Sequence, residues 1–456
     1  MRLSLAVLLS LATVLPAEDE LADVRAALAK RRYERARALL APACKKRNRD
    51  AMRMLGEMCH NGVGGPRDGD AAERWLRFAI EYGDLAAEKT LWKLRETPWA
   101  AAVVEEGREA MLQGDPLAAI RLWRRAADEG LSRDAALALG AIFGGKEFHS
   151  LAESVRAYRR AAYGGRLRAV FDAGQRHMHD DPSLAATVIS LALTEARAKK
   201  SVLPPEQEVL DAWTARAQGG DLDALASLGM LYVVGGQADR GLLYVWQAAE
   251  RGHVGAAGAL YGEFVGTRIG PPDPEASEHW MRIAAERGHA DSLAAAGMKL
   301  AQSDRAKAVP TLRRAAERGS GVARYVMGMC HWQEGWGVER DAVRAVAYLD
   351  VGVEQREPFA MFLLGVFRIK GFGGKEDPAA GWALVAHAAG LGNKPSLDAI
   401  RRGAKEGRPH AVFQLARLRI RGHRVPRNQD DGLNTIRTVA AAGCEPARAW
   451  LKRWGP

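Results

Sequence analysis

The sequence predicts an all-α protein built as a solenoid of antiparallel helix pairs, and three observations carry that prediction. First, nearly the same phrase recurs: "QAAERGHVGAAGAL" at 247–260, "AAERGHADSLAAAG" at 284–297 and "AAERGSGVARYVMG" at 315–328, a spacing of 31 to 37 residues. A catalytic motif is needed once, whereas a structural unit returns in every layer of a stack. Second, an apolar stripe returns at helical period within each unit. Third, helix-start residues and helix-stop glycines return at fixed offsets from one another.

Taken in chain order, residues 1–17, "MRLSLAVLLSLATVLPA", begin with basic Arg2, continue through an apolar run from Leu3 to Leu15, and end at Ala17 before the acidic "EDE". This is the layout of a secretory signal cleaved after Ala17, too short for the roughly 20 apolar residues that span a bilayer. The mature chain is therefore expected to be exported, periplasmic or extracellular, without a transmembrane segment. A retained anchor is the competing reading. Residues 18–49 read as a helical cap, with two amphipathic helices within 19–46.

Repeats fill 50–196. After an irregular helical insertion at 197–223, which contains "KKSVLPPEQE", they resume over 224–392. An extra helix, a C-terminal repeat and a cap complete 393–456. The first helix of each unit follows A-x-x-x-L-G-x-x-(aromatic), as in Ala224, Leu228, Gly229 and Tyr232, or Ala323, Met327, Gly328 and His331. Glycine inside a helix costs about 1 kcal/mol relative to alanine. Its return at Gly56, Gly107, Gly140, Gly174, Gly229, Gly297, Gly328 and Gly365 points to a helix crossing too close for a methyl group.

The second helix of each unit starts fifteen residues before a closing position, at Asp68, Asp115, Ser150, Asp181, Gln237, Asp273, Asp304, Asp341, Asp377 and Asn428. All but Gln237 are good acceptors for the free N–H groups of a helix start. Proline follows at 116, 182, 274 and 378, where its missing N–H costs nothing. The closing glycines Gly83, Gly130, Gly165, Gly252, Gly288, Gly319, Gly392 and Gly443 fit a left-handed helix stop. Two positions break the pattern: Ala416 replaces a first-helix glycine, and Arg356 replaces a closing one.

These residues resemble the Sel-1-like repeat, a relative of the tetratricopeptide repeat with a longer loop. The pattern is matched at Asp341, Arg344, Ala345 and Tyr348, and again at Asp273, Ala276, Trp280, Ala284, Ala285 and Gly288. The resemblance covers about 50–445. It implies a right-handed superhelix and a protein-binding role, often in assembly, trafficking or stress pathways. The function expected is thus a non-catalytic scaffold in the envelope or secreted space, docking a protein or peptide on its concave face. The alternative is an envelope hydrolase or peptidoglycan-associated module of β-lactamase type, since some exported relatives have been so described.

No S-x-x-K, K-T-G, S-D-N, G-x-S-x-G, H-E-x-x-H, phosphate-binding loop or dinucleotide fingerprint occurs, so no catalytic residue and no cofactor is expected. The cluster "QRHMHDD" offers His177, His179, Asp180 and Asp181 as metal ligands, but His177 takes the aromatic slot of its helix and Asp181 the cap, and no metal site is expected. Trp332, Trp336 and Phe372 mark the loops of neighbouring units, either as an exposed contact patch or as loop anchors. Phe171, Tyr325, Phe362 and Phe413 share one position of the first helix, where they either grip a peptide or pack between repeats.

The net charge is +11, with arginine interspersed among acids rather than blocked, which fits a solvated surface and leaves an acidic partner open. Nucleic acid is disfavoured by export. Of the four cysteines, Cys44 and Cys59 are near enough in sequence for a disulfide, with four buried thiols the other reading.

Overall fold

The computed structural model describes residues 21–199, 203–204, 206–265 and 273–455, so the leader expected at 1–17 lies outside the described residues. All regular structure among them is helical, in 26 α-helices. Ten antiparallel hairpins form the repeats. The first four pair Arg49–Asn61 with Gly69–Glu81, Ala100–Leu112 with Pro116–Asp128, Arg133–Gly144 with Leu151–Tyr163, and Leu167–Arg176 with Pro182–Lys199. The next three pair Leu222–Val234 with Ala238–Glu250, Val254–Val265 with Pro274–Glu286, and Ala290–Ala301 with Arg305–Glu317. The last three pair Gly321–Cys330 with Ala342–Glu354, Pro358–Lys370 with Pro378–Gly390, and Pro409–Arg421 with Gln429–Ala441. Single helices Glu206–Gln218 and Lys394–Lys405 lie in the two irregular stretches. Among the described residues no helix is long and apolar enough to cross a membrane.

By compactness the chain divides into two units. One comprises the described residues up to Leu94 and those from Trp450 onward; the other is Arg95–Ala449. In the first, Trp450 donates to Glu81 at 2.6 Å, the Tyr82 hydroxyl donates to the Trp454 carbonyl at 3.0 Å, and Phe78 meets Trp454 edge-on at 5.3 Å.

Nine of the ten expected second-helix caps accept a backbone N–H from their own helix, and Gln237 does not. The structure adds a second set of caps that the repeat pattern does not reveal. The residue just after a closing turn caps the helix that follows: Asn48, Ser132, Asp221, His253, His289 and Ser320 before first helices, and Asn393 before the single helix Lys394–Lys405, all accept from the N–H three residues on. The Ala or Ser that opens the repeat template is commonly this third residue. Ala51, Ala135, Ala224, Ala256, Ser292 and Ala323 are fully buried, leaving no room for a longer side chain.

The first-helix glycines sit where the two helices of a hairpin cross. A Cβ on Gly229 would lie 2.6 Å from the Gly241 carbonyl oxygen, and one on Gly365 2.8 Å from that of Gly381. Ala416 keeps the same constraint by exchange: the glycine moves to the partner helix, where a Cβ on Gly432 would lie 2.9 Å from the Ala416 carbonyl oxygen. Seven of the eight closing glycines have φ between 89° and 110°. Gly130 is the exception, for the left-handed residue there is Leu131, φ 55°, while a Cβ on Gly130 would meet that of Ala100 at 2.6 Å.

All four cysteines are free and buried. Cys44 and Cys59, the pair expected as a candidate bridge, stand as separate thiols on antiparallel helices joined by a short turn. Cys44 lies near that turn and Cys59 near the far end of its helix, beside Arg37, whose guanidinium donates to it at 3.2 Å. Burial pushes the Cys44 thiol up to about 12 and raises that of Cys59, so neither is readily ionised.

Two predictions follow from these turns and caps. Gly319 and Gly443 share φ 100°, but a Cβ on Gly319 would fall 1.9 Å from the Lys146 carbonyl oxygen, whereas Gly443 faces open space. Gly443→Ala should cost about 1 kcal/mol from the left-handed backbone alone, and Gly319→Ala roughly 3 kcal/mol through added overlap; urea unfolding midpoints compare the two. His253 caps through Nδ1, which must be unprotonated to accept, while its Nε2 lies 3.2 Å from Asp223, which His179 also approaches at 3.1 Å. Burial lowers the His253 pKa below 6.5, as it does for His177 and His289. The unfolded chain therefore takes up these protons first, so stability is complete above about pH 6.5 and falls as the pH drops below it. His253→Asn, which caps without titrating, should flatten part of that fall in a pH series of melting curves.

Candidate interaction surface

The structure sorts the seven marked aromatic residues by exposure. Phe171 and Phe413 are 3% exposed and Trp336 is 6% exposed, so these three are core. Trp332, Tyr325 and Phe362 are half-buried, and Phe372 is 38% exposed. Trp332 lies 4.8 Å from Phe367 and 4.5 Å from Phe372, with the Arg340 guanidinium 4.9 Å above its ring. It thus ties its own loop to the next repeat and leaves the rim of Phe372, flanked by Arg340, toward solvent. Tyr325 packs at 5.4 Å against Phe359, which is 44% exposed. Sequence reasoning missed Phe359, because its position in the second turn-forming residue of a first helix carries no aromatic signal in the repeat.

The "QRHMHDD" residues disperse to separate partners. His177 Nε2 is 3.0 Å from the Tyr158 hydroxyl, His179 faces Asp223, Asp180 pairs with Lys146 at 3.0 Å, and Asp181 caps its helix. Among the described residues no set of three or more His, Cys, Asp and Glu is placed to hold a metal ion.

A second feature was not visible in the repeat pattern. Within the Arg95–Ala449 unit the stack coils back on itself, and residues 177 to 233 positions apart hydrogen-bond across a seam. Glu354 accepts from Arg124 Nη1 at 2.5 Å and from Arg121 Nε at 3.3 Å, and its carbonyl accepts a further Arg124 N–H. The Gln355 amide donates to the carbonyls of His149 at 2.8 Å and Gly319 at 2.6 Å, and its side-chain oxygen accepts from Arg324 at 2.7 Å. Arg324 also donates to the Glu147 carbonyl at 2.6 Å, and Ser150 donates to the Gln355 carbonyl at 3.0 Å.

Burial brings Arg324 down to about 10, and it lowers Arg124 from its ordinary value as well. Charged groups taken out of water this way are stable only when well paired. Arg356 explains its own departure from the glycine pattern here. Held at φ 54°, it places Nε 3.2 Å from Glu153 across the seam, so one ion pair offsets the left-handed strain that glycine avoids elsewhere.

Comparison with known proteins follows from this geometry. The family model described as Sel1 repeat matches residues 49–84, 101–131, 257–289, 321–352 and 358–393. No curated protein sequence matches the chain. Among solved structures, a protective antigen present in uropathogenic Escherichia coli strains, described as displaying an SLR fold, is 20% identical over 92% of this chain and 89% of its own, with a TM-score of 0.37. A Sel1 repeat protein from Oxalobacter formigenes is 23% identical over 73% of this chain and 89% of its own, with a TM-score of 0.33. The five repeat matches, rather than these superpositions, carry the assignment.

Removing one member of the seam should cost far more than removing a surface pair. Glu354→Ala leaves Arg124 without its main counter-charge and should destabilise the seam by about 3 kcal/mol. Glu105→Ala, whose partner Arg108 is exposed, should cost under about 1 kcal/mol. Hydrogen exchange in the helices Pro116–Asp128 and Leu151–Tyr163 reads the difference as local opening.

Proposed function

This chain belongs to the Sel1-repeat family, and on that premise we propose that it is a non-catalytic scaffold that docks a protein or peptide partner in the cell envelope or the secreted space. Sel1-repeat proteins generally act as protein-interaction scaffolds, and the family is typically non-enzymatic. The observation that carries the reading is the repetition itself. A stack of near-identical hairpins presents a long side-chain surface in which no one place is chemically singular, which suits recognition by area rather than by reaction. Export rests on the sequence of residues 1–17.

The docking region we favour spans the repeats at 321–354 and 358–390, where Trp332 meets Phe372 across successive units and Trp332 and Tyr325, each partly open, pack on one core cluster. Phe362 packs instead on the neighbouring core around Trp382 and Val385. Aromatic anchors in such a partly covered setting are typical of interface hot spots.

Proximity crosslinking in the native cell, followed by mass spectrometry of the envelope and secreted fractions, tests the proposal. The expected result is a mature chain beginning at Glu18 and one reproducibly captured protein, whose yield falls several-fold with Phe372→Ala. Reproducible capture of nothing, or recovery only from the cytosol, would overturn it.

A further inference from the structure

We propose that the seam carries an anion-binding cleft that takes an acidic segment, Asp- or Glu-rich, of the partner. This deepens the scaffold reading and rests on it. The cleft is shallow and open to solvent, and four arginines, Arg124, Arg156, Arg160 and Arg356, line it beside two carboxylates, Asp128 and Glu153. Its floor is apolar, with Phe143 at its base under the Arg124 guanidinium at 5.3 Å.

The carboxylates do not use up the donors. Arg124 is spent on Glu354 and Arg160 on Asp128 at 2.6 Å. Among the described residues Arg356 pairs with Glu153, which its Nε approaches at 3.2 Å without the alignment of a hydrogen bond, so that buried Nε is left without a hydrogen-bond partner. Arg156 reaches the same carboxylate only at 3.8 Å. Two loosely paired guanidinium groups thus line one solvent-open space, beside a single shared carboxylate. A carboxylate matches such a fork with two parallel charge-assisted bonds.

A third observation points the same way. The protein packed around His387, then the charges of Arg356, Arg124 and Arg421, hold its pKa down at about 4. Arg356 and Arg124, two of the cleft arginines, thus add positive charge at a neighbouring helix. Because Arg356 and Glu153 come from opposite sides of the seam, an acidic segment bound here also bridges two stretches of the coil about 200 residues apart in sequence.

The test uses the mature chain and a fluorescein-labelled hexaglutamate peptide, followed by anisotropy at low and high salt. Wild type should bind, with affinity falling as salt rises. Arg156→Gln and Arg356→Gln should each weaken binding about tenfold, the loss of one charged hydrogen-bonding partner. Arg282→Gln removes the same charge from an exposed site on another repeat and should leave binding unchanged. Arg156 is one-third exposed and only loosely paired, so its variant should fold even if Arg356→Gln loosens the seam.

Equal weakening by Arg282→Gln would mean non-specific attraction to a basic chain and would overturn the proposal. So would the absence of wild-type binding, or tight binding of inorganic phosphate with none of the peptide. Partner capture separates this idea from the one it rests on. If wild type and Arg156→Gln capture the same partner equally, the cleft falls and the scaffold stands. If wild type captures nothing, the scaffold reading itself fails.

Discussion

Everything in the larger unit depends on one constraint: the coil of hairpins must bring the turns at Gly319 and at Glu354–Arg356 against the loop at 146–150 closely enough for backbone to touch side chain. Gln355 shows how tight this is. Its amide spans two carbonyls, one from its own neighbourhood at Gly319 and one from His149. No side chain fits at Gly319, because the Lys146 carbonyl already occupies that space. In a solenoid the small rotation between successive repeats sets where distant turns meet. The nine hairpins of this unit, with their irregular spacings, must therefore add to one pitch, and the seam is where that sum is read out.

The polar character of the seam contrasts with the contacts inside each repeat. Within a hairpin, small residues on crossing helices let apolar side chains such as Leu76, Ile189, Leu312 and Leu349 close over the glycines. Those side chains are fully buried, each within its own hairpin. Such burial contributes about 2 kcal/mol per large side chain, with little dependence on precise angle. Paired charges behave differently, since a shift of a fraction of an ångström turns a satisfied buried ion into a costly one. The apolar packing thus makes the stack stable, while the arginine and glutamate network selects one way of coiling it.

Local features were legible in the sequence to the extent that they depend on neighbours along the chain. The second-helix caps, the crossing glycines and the stop positions all recur in register, because each repeat solves the same local problem. Gln237, read as the poor cap, is the one that makes no side-chain bond. The first-helix caps were equally local but hidden, since histidine serves at 253 and 289 and does not announce itself as a cap. The aromatic residues were only half legible: one-dimensional position cannot say whether a ring at the same repeat site is buried, as Phe413 is, or stays partly open, as Tyr325 does. The seam was not legible at all from spacing, because its partners are brought together by the accumulated rotation of several repeats. Its single trace was Arg356, standing where the pattern asks for glycine.

Coiling also gives the surface its chemistry, for the arginines that line the cleft are distributed along the chain and become a cluster only when the turns meet. The most direct measurement of that coiling is the distance between spin labels at Lys146→Cys and Glu317→Cys, read by double electron–electron resonance with the buried native thiols left unlabelled. Lys146 and Gly319 touch across the seam, so the expected result is one narrow distribution at short distance. A broad distribution centred near roughly 50 Å, the span of an uncoiled stack of the intervening hairpins at about 10 Å per layer, would contradict the closed coil on which the account stands.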